Sequence, residues 1–341
     1  MAHPEALGTI DKGSILIGRR AILCAVGGIL LPRTAWARRR YVGPISATFV
    51  QPWEAHLSFD AAKWIELLGE FALHGMHTIY VQWMCHRKFG SLAPEPLLAA
   101  CERLEFKVHF GLCATGEAAR LYERGDATTQ ELDSRYAASL QLAAHLAPLV
   151  TRSRSFAGWY LPEELDDVMA ADGDRLQAWT GHLAKTSAAL AELTPSARVS
   201  ISSYVSGRLS PQAFAEVWRQ IWSSARSIAL LMQDGFGVAF LRENEILRYL
   251  YALEQARRNT GANLGLIVEL FEQTAGAPID QRPFQARPAK FERLVRQLQV
   301  GNAISGLPLT AFTAGDYMIA SRGKEAADLS RSYRAGFVRS G

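Results

Sequence analysis

The chain has 341 residues, 49% of them hydrophobic and 21% charged, which supplies a large core and excludes a disordered or collagen-like chain. Its formal charge of +4 owes something to residues 1–37, where Lys12, Arg19, Arg20 and Arg33 outnumber Glu5 and Asp11; beyond them the excess is +2. That near-neutral remainder gives no electrostatic ground for a nucleic-acid partner or an anionic membrane surface.

Residues 1–37 read as a signal peptide of twin-arginine type. Arg19 and Arg20 precede an apolar run over 21–31 (AILCAVGGILL), and Pro32 and the small-x-small site Ala35-Trp36-Ala37 follow. The run is shorter than the roughly 20 residues that span a bilayer. The competing reading is a terminal helix or an uncleaved anchor. Cleavage after Ala37 would leave a periplasmic or secreted protein with no membrane attachment. Such a product keeps Cys85, Cys101 and Cys113. An oxidising compartment permits one bridge, and Cys85 and Cys113 sit near the ends of neighbouring predicted strands. Unpaired buried thiols are the alternative, and the spacing matches no zinc motif.

The remainder, 41–337, alternates apolar strand-like runs with segments of helical period. The predicted strands cover 45–51 (ISATFVQ), 78–83 (TIYVQW), 107–112 (KVHFGL), 156–161 (FAGWYL), 198–204 (RVSISSY), 228–233 (IALLMQ), 264–270 (LGLIVEL) and 304–311 (ISGLPLTA). The predicted helices cover 59–73, 94–104, 134–149, 176–193, 211–225, 243–258, 288–300 and the tail 323–337. Continuous apolar strands suit a parallel sheet covered on both faces. Eight βα units predict an α/β fold, a closed (β/α)8 TIM barrel in a single domain. Gln51-Pro52-Trp53 follows the first strand where an open nucleotide-binding sheet carries glycines, so no cofactor is expected. Trp64, Trp218 and Trp222 fall at helical spacing and are expected to pack between helices and barrel.

Barrels of this kind place their chemistry at the C-terminal ends of the strands. That selects Gln51 and Trp53; Gln82, Trp83 and His86; Tyr160, Glu163 and Glu164; Tyr204; Gln233 and Asp234; Glu269; and Tyr317. Aromatic faces stack on sugar rings, and amides and carboxylates bond hydroxyls. Glu269 interrupts the apolar run GLIVELF, which is costly unless the carboxylate is paired or used. Glycoside hydrolysis needs two carboxyl groups flanking one bond, and Glu164 with Glu269 is the best pair. Strand parity turns Glu164 to the side of Tyr160, but Pro162 is able to break that alternation and leave Glu163 instead. Plainer readings stand beside these. Glu163, Glu164, Asp166 and Asp167 suit the acidic first turn of the next helix, Asp234 before Gly235 suits a turn, and Glu272 suits a solvated loop. His86 and His109 suit hydrogen-bonded barrel positions better than metal ligands. No metal is expected, since no paired-histidine motif ends a strand.

The strings ATFVQPW, TIYVQW, GWYLPEELDD, LMQDGFG and GLIVELF, taken in order, resemble the bacterial family known as domain of unknown function 4434. The resemblance covers about residues 45–317. It implies a glycosidase-like barrel, often exported, similar to clan A glycoside hydrolases. On that resemblance Glu164 is the acid/base and Glu269 the nucleophile of a retaining mechanism. Glu163 departs from the asparagine usual in clan A. The leading expectation is an exported hydrolase of a poly- or oligosaccharide, with Gln51, Gln82, Tyr204, Gln233 and Asp234 on hydroxyls and Trp53, Trp83 and Tyr317 as stacking subsites. The alternative is a non-catalytic glycan-binding barrel assisting exopolysaccharide export or assembly. A metal-dependent hydrolase is the weakest reading.

Overall fold

The computed structural model describes residues 41–86, 90–114, 129–239, 241–277 and 279–340. The expected signal peptide and its processing site lie outside them. Eight parallel strands close into a barrel: β1 (Ile45–Val50), β2 (Thr78–Val81), β3 (Lys107–Gly111), β4 (Phe156–Leu165), β5 (Arg198–Ser203), β6 (Ile228–Gln233), β7 (Asn263–Glu269) and β8 (Leu309–Phe312). Each strand pairs with its neighbour in sequence, and β8 pairs with β1 to close the ring. The helices of the outer layer are α1 (Ala61–Leu73), α2 (Pro94–Leu104), α3 (Thr129–Val150), α4 (Gly173–Leu193), α5 (Pro211–Ser224), α6 (Glu243–Thr260), α7 (Phe291–Asn302) and α8 (Lys324–Phe337). The fold is a (β/α)8 TIM barrel.

Local chemistry starts and stops these helices. Asp60, Asp172 and Ser210 accept the N–H groups of Lys63, Arg175 and Ala213, which caps α1, α4 and α5. Pro94 and Pro211 sit in first turns, where no N–H is needed. Gly261, left-handed at φ 71°, ends α6.

Alternate strand residues feed two cores, which is why the strands read as unbroken apolar runs. Val50, Ile79, Phe110, Trp159, Ile201 and Val268 face outward and join Trp64, Phe71, Trp218, Trp222 and Leu298 of the helices. Fully burying each such side chain is worth about 1.5–3 kcal/mol. The barrel interior holds Phe49, Tyr160, Leu231 and Ile267, with Tyr80 and Phe312 against them. Phe49 stacks on Tyr80 at 5.2 Å and meets the edge of Tyr160 at 5.1 Å, and Tyr80 stacks on His109 at 4.3 Å. These rings fill the barrel below the C-terminal ends of the strands, so a ligand has access only above them.

Two strands differ from the sequence expectation by more than two residues at one end. β8 begins at Leu309 rather than 304, because Gly306 takes a left-handed turn at φ 74° and Pro308 has no N–H to give a ladder. β4 runs on to Leu165 through Pro162, which lies in a bulge where its missing donor is harmless.

Strand closure depends on Gly158. A Cβ there would lie 2.1 Å from the Arg198 carbonyl oxygen on β5. Gly158→Ala is therefore expected to destabilise the protein by ~3 kcal/mol or more, or to prevent folding. Urea unfolding checks this, and a midpoint equal to wild type would contradict it.

Candidate active site

β4 delivers Glu164 to the barrel mouth by way of the bulge. Leu161 pairs with Ile201 and Glu164 with Ser202, so Pro162 and Glu163 are extra residues on β4. Two extra residues preserve the alternation, and Glu164 therefore faces the interior with Tyr160. Gln233 Nε2, at the end of β6, donates to Glu164 Oε1 at 3.1 Å. The Ser202 hydroxyl lies 2.8 Å from the Tyr160 hydroxyl and close enough to the Glu164 carboxyl to favour its charged form. Burial pushes the Glu164 carboxyl above the usual carboxylate range.

Glu163 points the other way. It is 4% exposed, beneath α4, with Oε1 3.6 Å from His182 Nε2. It does not open to the mouth, where the sequence reading had it bind substrate. The asparagine-to-glutamate departure thus falls on a residue packed against the helical layer.

Glu269 ends β7 and is almost fully buried. Its Oε2 accepts the Gly237 N–H at 2.6 Å. Burial first, and then the charge of Asp234, push its carboxyl above the usual range. Glu164 is near enough that its charge adds to that push.

Asp234 stands behind Glu269 rather than in the cleft. Its Oδ1 accepts the N–H groups of Phe236 (3.2 Å) and Glu269 (3.4 Å), and its Oδ2 accepts Gln297 Nε2 of α7 at 2.7 Å. With 1% exposure and these internal donors, it shapes the turn that aims the Gly237 N–H at Glu269. This is the turn-forming reading of Asp234, not the hydroxyl-binding one. Arg293, also on α7, donates to the Glu269 and Phe271 carbonyls and braces the same strand end.

The acidic run after β4 is structural beyond Glu164. Asp166 accepts the Met169 N–H at 2.6 Å, capping the short helix Asp167–Ala170, and the Tyr204 hydroxyl at 3.0 Å. Tyr204 is thereby anchored to the rim. Asp167 accepts Ser206 N–H and hydroxyl together with the Arg208 and Leu209 N–H groups, which fixes the loop after β5. Glu272 lies in the hairpin Phe271–Ala275/Gln285–Pro288 and pairs with Arg287 at 3.0 Å.

Amides and aromatics complete the mouth. Gln51 and Gln82 end β1 and β2, and Gln82 Oε1 is buried without a hydrogen-bond partner. Trp53 meets Trp83 edge-on at 5.8 Å, and Trp83 lies 5.0 Å from His86. Tyr317 lies 5.6 Å from Phe271, which contacts Phe284 at 5.8 Å. Since β7, β8, β1 and β2 are consecutive around the barrel, these rings form an aromatic arc opposite β4. His109 sits lower, inside the barrel, and burial lowers it to about 3, so it is neutral. No group of three or more His, Cys, Asp or Glu residues is arranged to hold a metal among the described residues.

Sequence reasoning missed Ser202, Gly237, Gln297 and Arg293. Ser202 carries a readable signal, since Ser200 and Ser202 alternate with Val199 and Ile201 on a barrel strand. Gln297 and Arg293 carry none, because nothing local ties α7 to β6.

The DUF4434 family model, a domain of unknown function, matches residues 45–322. The chain belongs to this family. Among solved structures, the DUF4434 chain is similar to a Bacteroides thetaiotaomicron VPI-5482 protein assigned as an alpha-L-fucosidase, at 17% identity and TM-score 0.68 over 87% of this chain and 96% of that one. It is also similar to a GH18 chitinase from Pseudoalteromonas aurantia, at 11% identity and TM-score 0.51 over 84% and 99% of the two chains. A xylanase from Paenibacillus barcinonensis matches at 12% identity and TM-score 0.50 over 79% and 84%. At these identities the likeness concerns the barrel fold. Comparison with curated proteins gives no match.

Proposed function

We propose that this DUF4434 protein is an exported glycoside hydrolase acting on a poly- or oligosaccharide by a retaining mechanism. The observation that carries the reading is that Glu164 and Glu269, at the ends of β4 and β7, lie close enough for the charge of one to act on the other, at a mouth bordered by an aromatic arc and glutamine amides. Two raised carboxyls near one another favour a state with one protonated and one ionised, which is the state glycoside cleavage uses.

Their partners support distinct roles. Ser202 is a hydroxyl, able to donate to an ionised Glu164 and to accept from a protonated one, with the Tyr160 hydroxyl adjusting behind it. Glu164 can therefore change protonation state without losing that partner, as an acid/base must. Gly237 offers Glu269 only an N–H, which favours the carboxylate a nucleophile requires and works against the burial and the Asp234 charge that raise it. Glu164 protonates the glycosidic oxygen while Glu269 attacks the anomeric carbon; Glu164 then activates the water that releases the sugar. Gln51 and Gln82 bind hydroxyls, and Trp53 and Tyr317 stack on ring faces, with Trp83, 4% exposed, packed against Trp53. The likeness to barrels named fucosidase, chitinase and xylanase supports a carbohydrate ligand. The sequence of the N-terminal segment supports export.

Reducing-end release from a panel of bacterial and plant polysaccharides tests the activity. Release by the wild type supports the hydrolase. Saturable glycan binding without any product, unchanged in Glu164→Gln, supports the non-catalytic binding barrel instead.

Ser202→Ala removes the adjustable partner. It is expected to lower kcat by ~10-fold and to displace the alkaline limb of the pH–rate profile, with little change in KM. A profile superimposable on wild type would contradict the role of Ser202.

A further inference from the structure

We propose that Cys85 and Cys113 join in a disulfide across the rim of the barrel mouth. The strand Cys85–His86, just beyond β2, pairs in parallel with Cys113–Ala114, just beyond β3, and Cys85 and Cys113 are direct register partners. Neighbouring strands lie about 4.8 Å apart. That falls within the Cα separations of about 4.4–6.8 Å that a disulfide accepts. Register partners in a parallel pair turn their side chains to the same face, and the two thiols are close enough for Cys85 to act on the ionisation of Cys113. Both residues are half-buried thiols within reach of a reagent, whereas Cys101 of α2 is fully buried.

The step is a thiol–disulfide exchange with a low-molecular-weight disulfide as oxidant. Burial and the adjoining Cys85 push the Cys113 thiol up to about 12. The Cys85 thiolate forms a bond to one sulfur of the oxidant and expels the other as a thiolate. Cys113, its proton passing to the departing thiolate, then attacks Cys85 Sγ and expels the second. Two protein thiols lose two electrons, and the oxidant becomes two thiols. The bond ties the loops after β2 and β3 together. Trp83 lies two residues before Cys85, and His86 follows it directly, so the link stiffens one end of the aromatic arc. The bond does not depend on the glycosidase reading.

The test uses the full chain, purified reduced and then incubated with a mixture of reduced and oxidised glutathione. Free thiols are alkylated, and the digest is mapped by mass spectrometry. The expected product is a peptide pair joined through Cys85 and Cys113, lighter by two hydrogens than the reduced peptides, with Cys101 alkylated only after denaturation. Cys85→Ser and Cys113→Ser each abolish that pair. Recovery of Cys85 and Cys113 as separately alkylated or separately glutathionylated residues, in protein that melts cooperatively, overturns the proposal. Linkage of either residue to Cys24 or Cys101 in its place overturns it as well.

Discussion

Glu269→Gln is expected to lower kcat/KM on a polysaccharide by ~10³-fold or more while leaving the melting temperature within a few degrees of wild type. The amide matches the carboxylate in shape and keeps an oxygen for the Gly237 N–H. It cannot attack an anomeric carbon. Stability should not suffer, because the substitution removes a buried charge that Asp234 already opposes. Glu164→Gln should cost ~10²–10⁴-fold on the same polysaccharide, the usual size of a general acid contribution. The two variants part on aryl glycosides with acidic phenol leaving groups, which depart without a proton. Glu164→Gln should cleave these far better than the polysaccharide, relative to wild type. Glu269→Gln should fail on both. Steady-state kinetics on the two substrate types check the pair, and equal losses of Glu164→Gln on both would remove Glu164 from the acid role.

Gly237→Ala carries the next largest expected effect. A Cβ at this position would lie 2.7 Å from Glu269 Oε2 and 2.8 Å from the Phe271 ring. All three are buried, and Asp234 and Gln297 hold the turn from behind. The glutamate must give way, losing its N–H donor and its aim. A shift of about 1 Å or a lost donor at a reacting group each costs on the order of 10²-fold, so kcat should fall by about that much. The turn is a loop, so the fold should survive with a melting temperature only a few degrees lower. Wild-type kcat in Gly237→Ala would show that the N–H bond to Glu269 does not matter to turnover.

The barrel was readable because each strand serves two apolar cores and each helix carries a stripe facing one. The predicted helix 94–104 matches α2, and the predicted strand 228–233 matches β6. Strand 304–311 failed at its start because apolar content hid Gly306 and Pro308, which act on backbone geometry rather than burial. The candidate site was legible as a set of strand ends, and the proposal of Glu164 and Glu269 rests on parity and on a carboxylate inside an apolar run. The directions of Glu163 and Asp234 were not. Glu163 depends on a two-residue bulge set by pairing with β5, and Asp234 on Gln297, distant in sequence. Ser202 was legible as a polar residue alternating with Val199 and Ile201, but its purpose appears only once Tyr160 and Glu164 stand on either side of it. The small rim sheet and the hairpin after β7 have no period to read, since they are short segments without a core of their own.

The central claim is that Glu164 and Glu269 form a retaining pair. The anomeric configuration of the first product, followed by NMR before mutarotation, tests it most directly. The account predicts that the newly released reducing end keeps the configuration of the bond that was cut, because Glu269 takes the sugar and water then displaces Glu269. An inverted first product would contradict it, since water would then have attacked in a single step and Glu269 could not be the nucleophile.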